Sequence, residues 1–352
     1  NGNLIISGAV GGSTDLSSYA VTTTGSASQT FSANVETTGN QTYTAAGGIV
    51  TSGARTFDSS GGTVNFASAL SGDNNVTVTG NADIDGAITD IAVLSITGTA
   101  NIGADITSSD TQTYGDAVTL SANVTLTTSS DVVTFDSTVN SDGSTRNLTI
   151  ATGGNSTEIN FDGVVGGSAA VGAITITGAL DLNAPITSAT SLSVSGVSNL
   201  GANVTTSGTQ TYLAATTLSG GARTLQGSTI QTVAVGGAQN LTITGNLDLN
   251  GAITQVAVFA VSGTTDLGAN VTTTGTQTYS GAVTISGSTV TRTLTTSADT
   301  ITFSNTLNSS ASAGNHLTFG SNTGTATFTG AVGGATNGTL GTITNIASQT
   351  LI

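Results

Sequence analysis

Hydrophobic residues along this chain alternate with polar ones over short stretches, and glycine, serine and asparagine interrupt them every few residues. A period of two predicts strands with one buried face, and the stretches are too short for helices. An offset of 18 residues organises the strands. Residues 248–254, Asp-Leu-Asn-Gly-Ala-Ile-Thr, return at 266–272 as Asp-Leu-Gly-Ala-Asn-Val-Thr; residues 84–89 return at 102–107, and 182–187 at 200–205. In each copy a large aliphatic residue, a glycine or alanine, and an isoleucine or valine hold alternate positions: Leu249, Gly251 and Ile253, then Leu267, Ala269 and Val271. The triplets Phe31, Ala33, Val35 and Leu120, Ala122, Val124 fit the same template. Alternation predicts that all of these point inward.

A unit this short buries no face alone, but coiled so that each unit stacks on the next it forms a continuous narrow core. The fold predicted is all-β, a parallel β-helix (β-solenoid) of roughly 15 to 18 coils of about 18 to 25 residues. An antiparallel sandwich would reverse successive strands and lose the fixed offset. A longer repeat overlies the short one. Gln-Thr-Tyr ends at Tyr43, Tyr114, Tyr212 and Tyr279, with a variant ending at Leu351, at spacings of 71, 98, 67 and 72 residues. Gly-Ala-Val-Gly-Gly stands at 8–12 and 330–334, and Gly-Val-Val-Gly-Gly at 163–167. No linker or compositional shift divides the chain, so residues 1–352 read as one continuous solenoid segment. The repeat is already under way at residues 3–6 and still running at 349–351. An uncapped excerpt of a longer array is therefore expected, with further coils of the same chain or further copies end to end as partners.

Composition narrows the core and the partners. Hydrophobic residues make up 36%, yet tryptophan, methionine and cysteine are absent and aromatics are 4%, so the core is thin and no disulfide braces it. Low charge (7%) and a mean hydropathy of +0.21 argue against disorder. The only basic residues are Arg55, Arg146, Arg223 and Arg292, against 19 acidic ones, for a net charge of −15. Such a chain is repelled by nucleic acid and by anionic lipid, and no apolar run reaches the roughly 18 residues of a membrane helix. Neither a nucleic-acid partner nor membrane insertion is expected.

Candidate chemistry is sparse. The 18-residue offset stacks Asp248 on Asp266, a pair that with Asn250 makes the best calcium candidate, although no Gly-Gly-x-Gly-x-Asp repeat supports one. Equivalent stacks alternate Asp83 with Asn101 and Asp181 with Asn199, as relief of like-charge repulsion along a ladder would require. No catalytic residues and no cofactor are therefore assigned. His316, the single histidine, aligns with Asn147 as a turn residue and has no partner for a zinc site or a triad. Arg55 and Arg223 share a repeat position and read as solvated salt-bridge partners. Thr-x-Thr pairs such as Thr77/Thr79 give way to Ser95/Thr97 one coil on, so an ice-binding face is not expected to run on. Sequons such as those at Asn75 and Asn203 follow from composition. Two anomalies stand out. Asp116 aligns with inward Ala45, Ala214 and Gly281, where a carboxylate needs a partner, and Pro185 aligns with Ala87 and Ala252, where it should remove one rung of the ladder.

With residues 274–279 (Thr-Gly-Thr-Gln-Thr-Tyr), the Gly-Ala-Val-Gly-Gly runs and residues 147–150 (Asn-Leu-Thr-Ile), nearly the whole chain resembles the repeat regions of giant bacterial surface proteins of the filamentous haemagglutinin-like and autotransporter type. The resemblance implies a right-handed β-helix, secretion to the bacterial cell surface, and a role in adhesion, aggregation or matrix. The expected function is an extracellular structural or adhesive shaft without catalysis. The alternative is a module binding cell-surface or matrix glycans along one polar face. Polysaccharide-lyase activity, found on β-helices generally, is disfavoured by the lack of clustered Asp, Lys and Arg.

Overall fold

In the computed structural model, which describes residues 2–310, 314–334, 338–345 and 350–351, the chain is all-β, with parallel strands stacked in about 15 turns. It is a β-solenoid. Antiparallel alternatives are excluded, since the strand pairings of the described residues, from Leu4 opposite Gln29 to Ala326 opposite Leu351, are parallel. Contacts divide the chain into two compact units, residues 1–190 and 191–352.

Three ladders carry the first unit. One stacks Tyr43, Phe66, Ile84, Ile102 and Leu120. A second stacks Phe57, Val78, Ile96, Tyr114, Phe135, Phe161 and Leu182. The third stacks Ile49, Leu70, Ile88, Ile106, Leu126, Ile150 and Ile176. All are buried. Coil length is 18 residues between Asp83 and Asn101, 21 between Asp162 and Asn183, and 26 between Asn147 and Ala173. Insertions are taken up at corners, so the inward columns keep their register. The second unit repeats the plan: Tyr212, Thr232, Leu249, Leu267 and Ile285 form one ladder, Ile243, Val261, Tyr279, Phe303 and Phe328 another, and Val235, Ile253, Val271, Leu294 and Phe319 the third.

The outer members of the predicted inward triplets are buried: Phe31 and Val35, Leu120 and Val124, Leu249 and Ile253, Leu267 and Val271. Their middle members are only half-buried, because the alternation crosses a corner. Leu249 ends one strand and Ile253 begins the next. A Cβ on Gly251 would stand 1.1 Å from the Val233 carbonyl oxygen of the coil below, so only glycine fits this corner.

Both anomalies resolve at corners. Pro185 lies between strands Ala179–Leu182 and Ile186–Val194, and its carbonyl accepts from the Val165 N–H at 3.0 Å. Ala87 and Ala252 likewise accept, from Leu70 and Val235. Position 185 thus serves the ladder through its C=O, and proline removes no rung there. Asp116 is exposed rather than inward, with its Oδ1 accepting from the Ala117 N–H at 2.7 Å. The alignment failed because Tyr43 and Tyr114 stand on different ladders and are followed by different corners. Strand Gln41–Ala45 continues past Tyr43 and buries Ala45, whereas the chain turns directly after Tyr114. Tyr212 and Tyr279 also stand on different ladders, so the long repeat is not a whole number of coils. Gln349, in the variant ending at Leu351, lies outside the described residues.

The Gln-Thr-Tyr repeat is a buried polar network. Gln41, Gln112, Gln210 and Gln277 are fully buried. The Gln112 amide nitrogen faces the Thr127 carbonyl at 2.9 Å, the Ser108 hydroxyl at 3.1 Å and the Ile106 carbonyl at 3.4 Å, while the Tyr114 hydroxyl donates to Gln112 Oε1 at 3.0 Å. Thr37, Thr206 and Thr273 take the place of Ser108 beside the other three glutamines, and Tyr43, Tyr212 and Tyr279 donate to them in the same way. Burial pushes all four phenols up, which keeps them protonated donors. One coil later the two members change together. Gln112 and Tyr114 meet Val133 and Phe135; Gln41 and Tyr43 meet Val64 and Phe66; Gln277 and Tyr279 meet Ile301 and Phe303. The rings remain stacked, Tyr114 on Phe135 at 5.1 Å and 10°. Replacing one member orphans the other in the core, whereas replacing both with apolar groups of like shape is nearly neutral. Gln112→Val alone should therefore cost about 1–3 kcal/mol, and Gln112→Val with Tyr114→Phe should recover most of it. Urea unfolding of the four proteins in this cycle measures the coupling; a double variant weaker than either single one refutes the pairing.

Candidate functional site

The outward columns hold the polar chemistry. In the first unit Asn65, Asp83 and Asn101 are register partners on successive coils. Asn65 Nδ2 donates to Asp83 Oδ2 at 2.6 Å and to Asp85 Oδ2 at 3.0 Å, and Asn101 Nδ2 donates to Asp83 Oδ1 at 2.8 Å. The predicted alternation of acid and amide is present, with both oxygens of one carboxylate accepting from the amides above and below. Thr42, Thr63, Asn81 and Thr119 extend this surface into a shallow open groove.

In the second unit Asp248 does stand opposite Asp266. Gln231 Nε2 donates to Asp248 Oδ2 at 2.9 Å and Asn250 Nδ2 to Asp248 Oδ1 at 3.1 Å. Asn250 therefore presents its nitrogen to the carboxylate, the opposite of what a shared calcium needs. Among the described residues no group of three or more His, Cys, Asp or Glu side chains is placed to hold a metal.

The arginines do something the sequence reading missed. Arg55 Nε donates to the Phe31 carbonyl at 3.1 Å and its guanidinium folds onto the Ser52 carbonyl. Arg223 Nε donates to the carbonyls of Leu200 at 3.1 Å and Ser219 at 2.9 Å, and Arg292 Nη2 to that of Ser286 at 3.0 Å. These three arginines tie down Ser-Gly turns through backbone carbonyls instead of pairing with acids. The shared signal was legible, since a Ser-Gly pair precedes each with one to four residues between. Among the described residues the one ion pair is Arg146 with Asp142, at 2.7 Å.

His316 is not the turn residue expected but opens the strand His316–Phe319, opposite Thr291, and its Nδ1 lies 2.7 Å from the Thr342 hydroxyl. The hydroxyl column through Thr56 and Thr77 continues through Ser95, Thr113 and Thr134, against expectation, but its companion stops where Gly115 follows Thr97. A single file results, not a paired face. Charge is uneven as well: 16 carboxylates against two guanidiniums leave residues 1–190 at −14, while three against two leave residues 191–352 at −1. The even composition expected from the apolar pattern does not extend to charge.

Asp142 is exposed, yet hydrogen bonds from the Arg146 guanidinium and then the Ser144 N–H lower its pKa to about 2 from an ordinary 3.8. Its contribution to folding is present above 3.8 and is lost as pH falls through about 2. A carboxyl-detected NMR titration should find that low value, and Arg146→Gln should return it to the ordinary range; an unchanged midpoint in the variant refutes the assignment. Comparison with protein-family models, curated proteins and solved structures finds no match for the chain.

Proposed function

We propose that this chain is a length of structural or adhesive shaft displayed outside a bacterial cell, without catalysis, whose work is extension and stiffness. One observation carries the reading: the Gln-Thr-Tyr networks and the turn-closing arginines are directed at the coil itself. The glutamines and tyrosines of the core bond to each other and to backbone carbonyls, and three of the four arginines close turns. Chemistry spent in this way on coil-to-coil cohesion suits a scaffold. The bacterial surface location rests on the resemblance of the repeats.

Two measurements test the proposal. Negative-stain imaging of the intact parent protein should show long uniform fibres, and isolated compact particles would overturn the reading. Native chain should also survive trypsin. There is no lysine; Arg55 and Arg223 begin strands and Arg292 lies within one, whereas Arg146 lies in the loop ahead of strand Leu148–Ala151. Cleavage at Arg55, Arg223 and Arg292 is expected only after unfolding, and rapid native cleavage at Arg55 or Arg223 counts against a stiff shaft.

A further inference from the structure

The open groove of the first unit has features that cohesion alone does not account for. Thr42, Asn65, Asp83, Asn101 and Thr119 are successive register partners, so its floor runs across five coils at about 4.8 Å per rung. Asn40, Thr63, Asn81 and Thr99 form a second column beside it, joined by Thr63 N–H to Asn40 Oδ1 and Thr99 N–H to Asn81 Oδ1, both at 3.0 Å. At its centre the groove is rich in acceptors. Asp83 is half-buried and Asp85 exposed, and Asn65 Oδ1 is buried with no hydrogen-bond partner. A buried acceptor without a donor is costly, and a bound donor would satisfy it.

We propose that this groove binds an extended amino-sugar chain, with protonated amines against Asp83 and Asp85 and sugar hydroxyls along the threonine and asparagine columns. Three observations select that chemistry. An elongated groove of evenly spaced polar rungs suits a polymer with a short repeat better than a compact ligand. Two carboxylates and an orphan carbonyl call for a cationic donor, and an ammonium group supplies three N–H bonds. A bare metal ion fits less well, because among the described residues no group of three or more His, Cys, Asp or Glu side chains is placed to hold one. The charge of the unit, −14, also favours approach of a polycation. The proposal does not depend on the shaft reading, since a binding groove operates on a filament or on an isolated module alike.

Titration calorimetry of the full chain with a glucosamine hexamer tests this at mildly acidic pH, where sugar amines are protonated and carboxylates ionised, in about 0.15 M salt. Saturable binding is expected. Asp83→Asn with Asp85→Asn should weaken it by about tenfold or more, a change of about 1.4 kcal/mol. Asp131→Asn with Asp136→Asn, an equal loss of charge away from the groove, should leave it unchanged. Equal weakening in the two variants would show mere attraction to a polyanion and overturn the site. Equal affinity for the N-acetylglucosamine hexamer would refute the role of the amine, and displacement of the oligomer by calcium chloride would assign the groove to a metal. Thermal unfolding checks each variant. If loss of the Asp83 bonds loosens the coil, Asp85→Asn alone carries the test, because that carboxylate is exposed.

Discussion

Backbone hydrogen bonding between coils is the constraint on which the rest of this structure depends. Each strand is so short that its N–H and C=O groups find partners only on the coil before and the coil after. Every inward side chain then sits directly over its counterpart, so rings stack on rings along runs such as Tyr114, Phe135 and Phe161, and meet aliphatic side chains where a column changes, as Phe66 does at Ile84. At the corners, where the backbone ladder is interrupted, asparagines bridge the gap. The Oδ1 atoms of Asn34, Asn203 and Asn270 accept from the N–H groups of Thr56, Thr224 and Thr293 on the following coil. The asparagine-rich composition is thus a requirement of the corners, and the Asn203 sequon is one of these bridges.

The same constraint explains how a core this thin tolerates buried amides. A glutamine inside the coil is surrounded by carbonyls fixed by the ladder, and the tyrosine two residues on returns a hydroxyl to its other end. In three of the four Gln-Thr-Tyr copies the two members are exchanged together one coil later for valine or isoleucine and phenylalanine, while Gln210 and Tyr212 give way to Ile230 and Thr232. Gln29, followed by Phe31, keeps its amide bonds but leaves its Oε1 without a partner. Arg55 and Arg223 follow parallel logic, their delocalised cations each meeting several backbone oxygens at once.

How much was legible divides along the line between strand and corner. The parallel coil, its 18-residue period and the burial of Leu249, Ile253, Leu267 and Val271 could all be read from spacing, because register preserved along an axis leaves a fixed offset in the sequence. The stacking of Asp248 on Asp266 and of Asp83 on Asn101 came from the same offset. Corners were misread. Asp116, Pro185 and Gly251 were assigned as though alternation ran through them, when in each the chain turns. The inward amide of Gln112 escaped notice because a polar residue in a period-two pattern ordinarily reads as outward. The roles of Arg55 and Arg223 escaped because cations in an acidic chain suggest ion pairs, whereas their partners are carbonyl oxygens that no side-chain pattern records.

That Tyr43 and Tyr114 occupy different ladders has a bearing on how such a chain grows by duplication. Copying a stretch that is not a whole number of turns rotates the copy about the axis, so every side chain it carries faces a new compass bearing. Amplification of that kind scatters surface chemistry around the girth. Only copying in whole turns, as between residues 84–89 and 102–107, lines equivalent groups up on one side. The length of the duplicated piece, measured against the turn, thereby decides whether repetition yields a uniform exterior or a track.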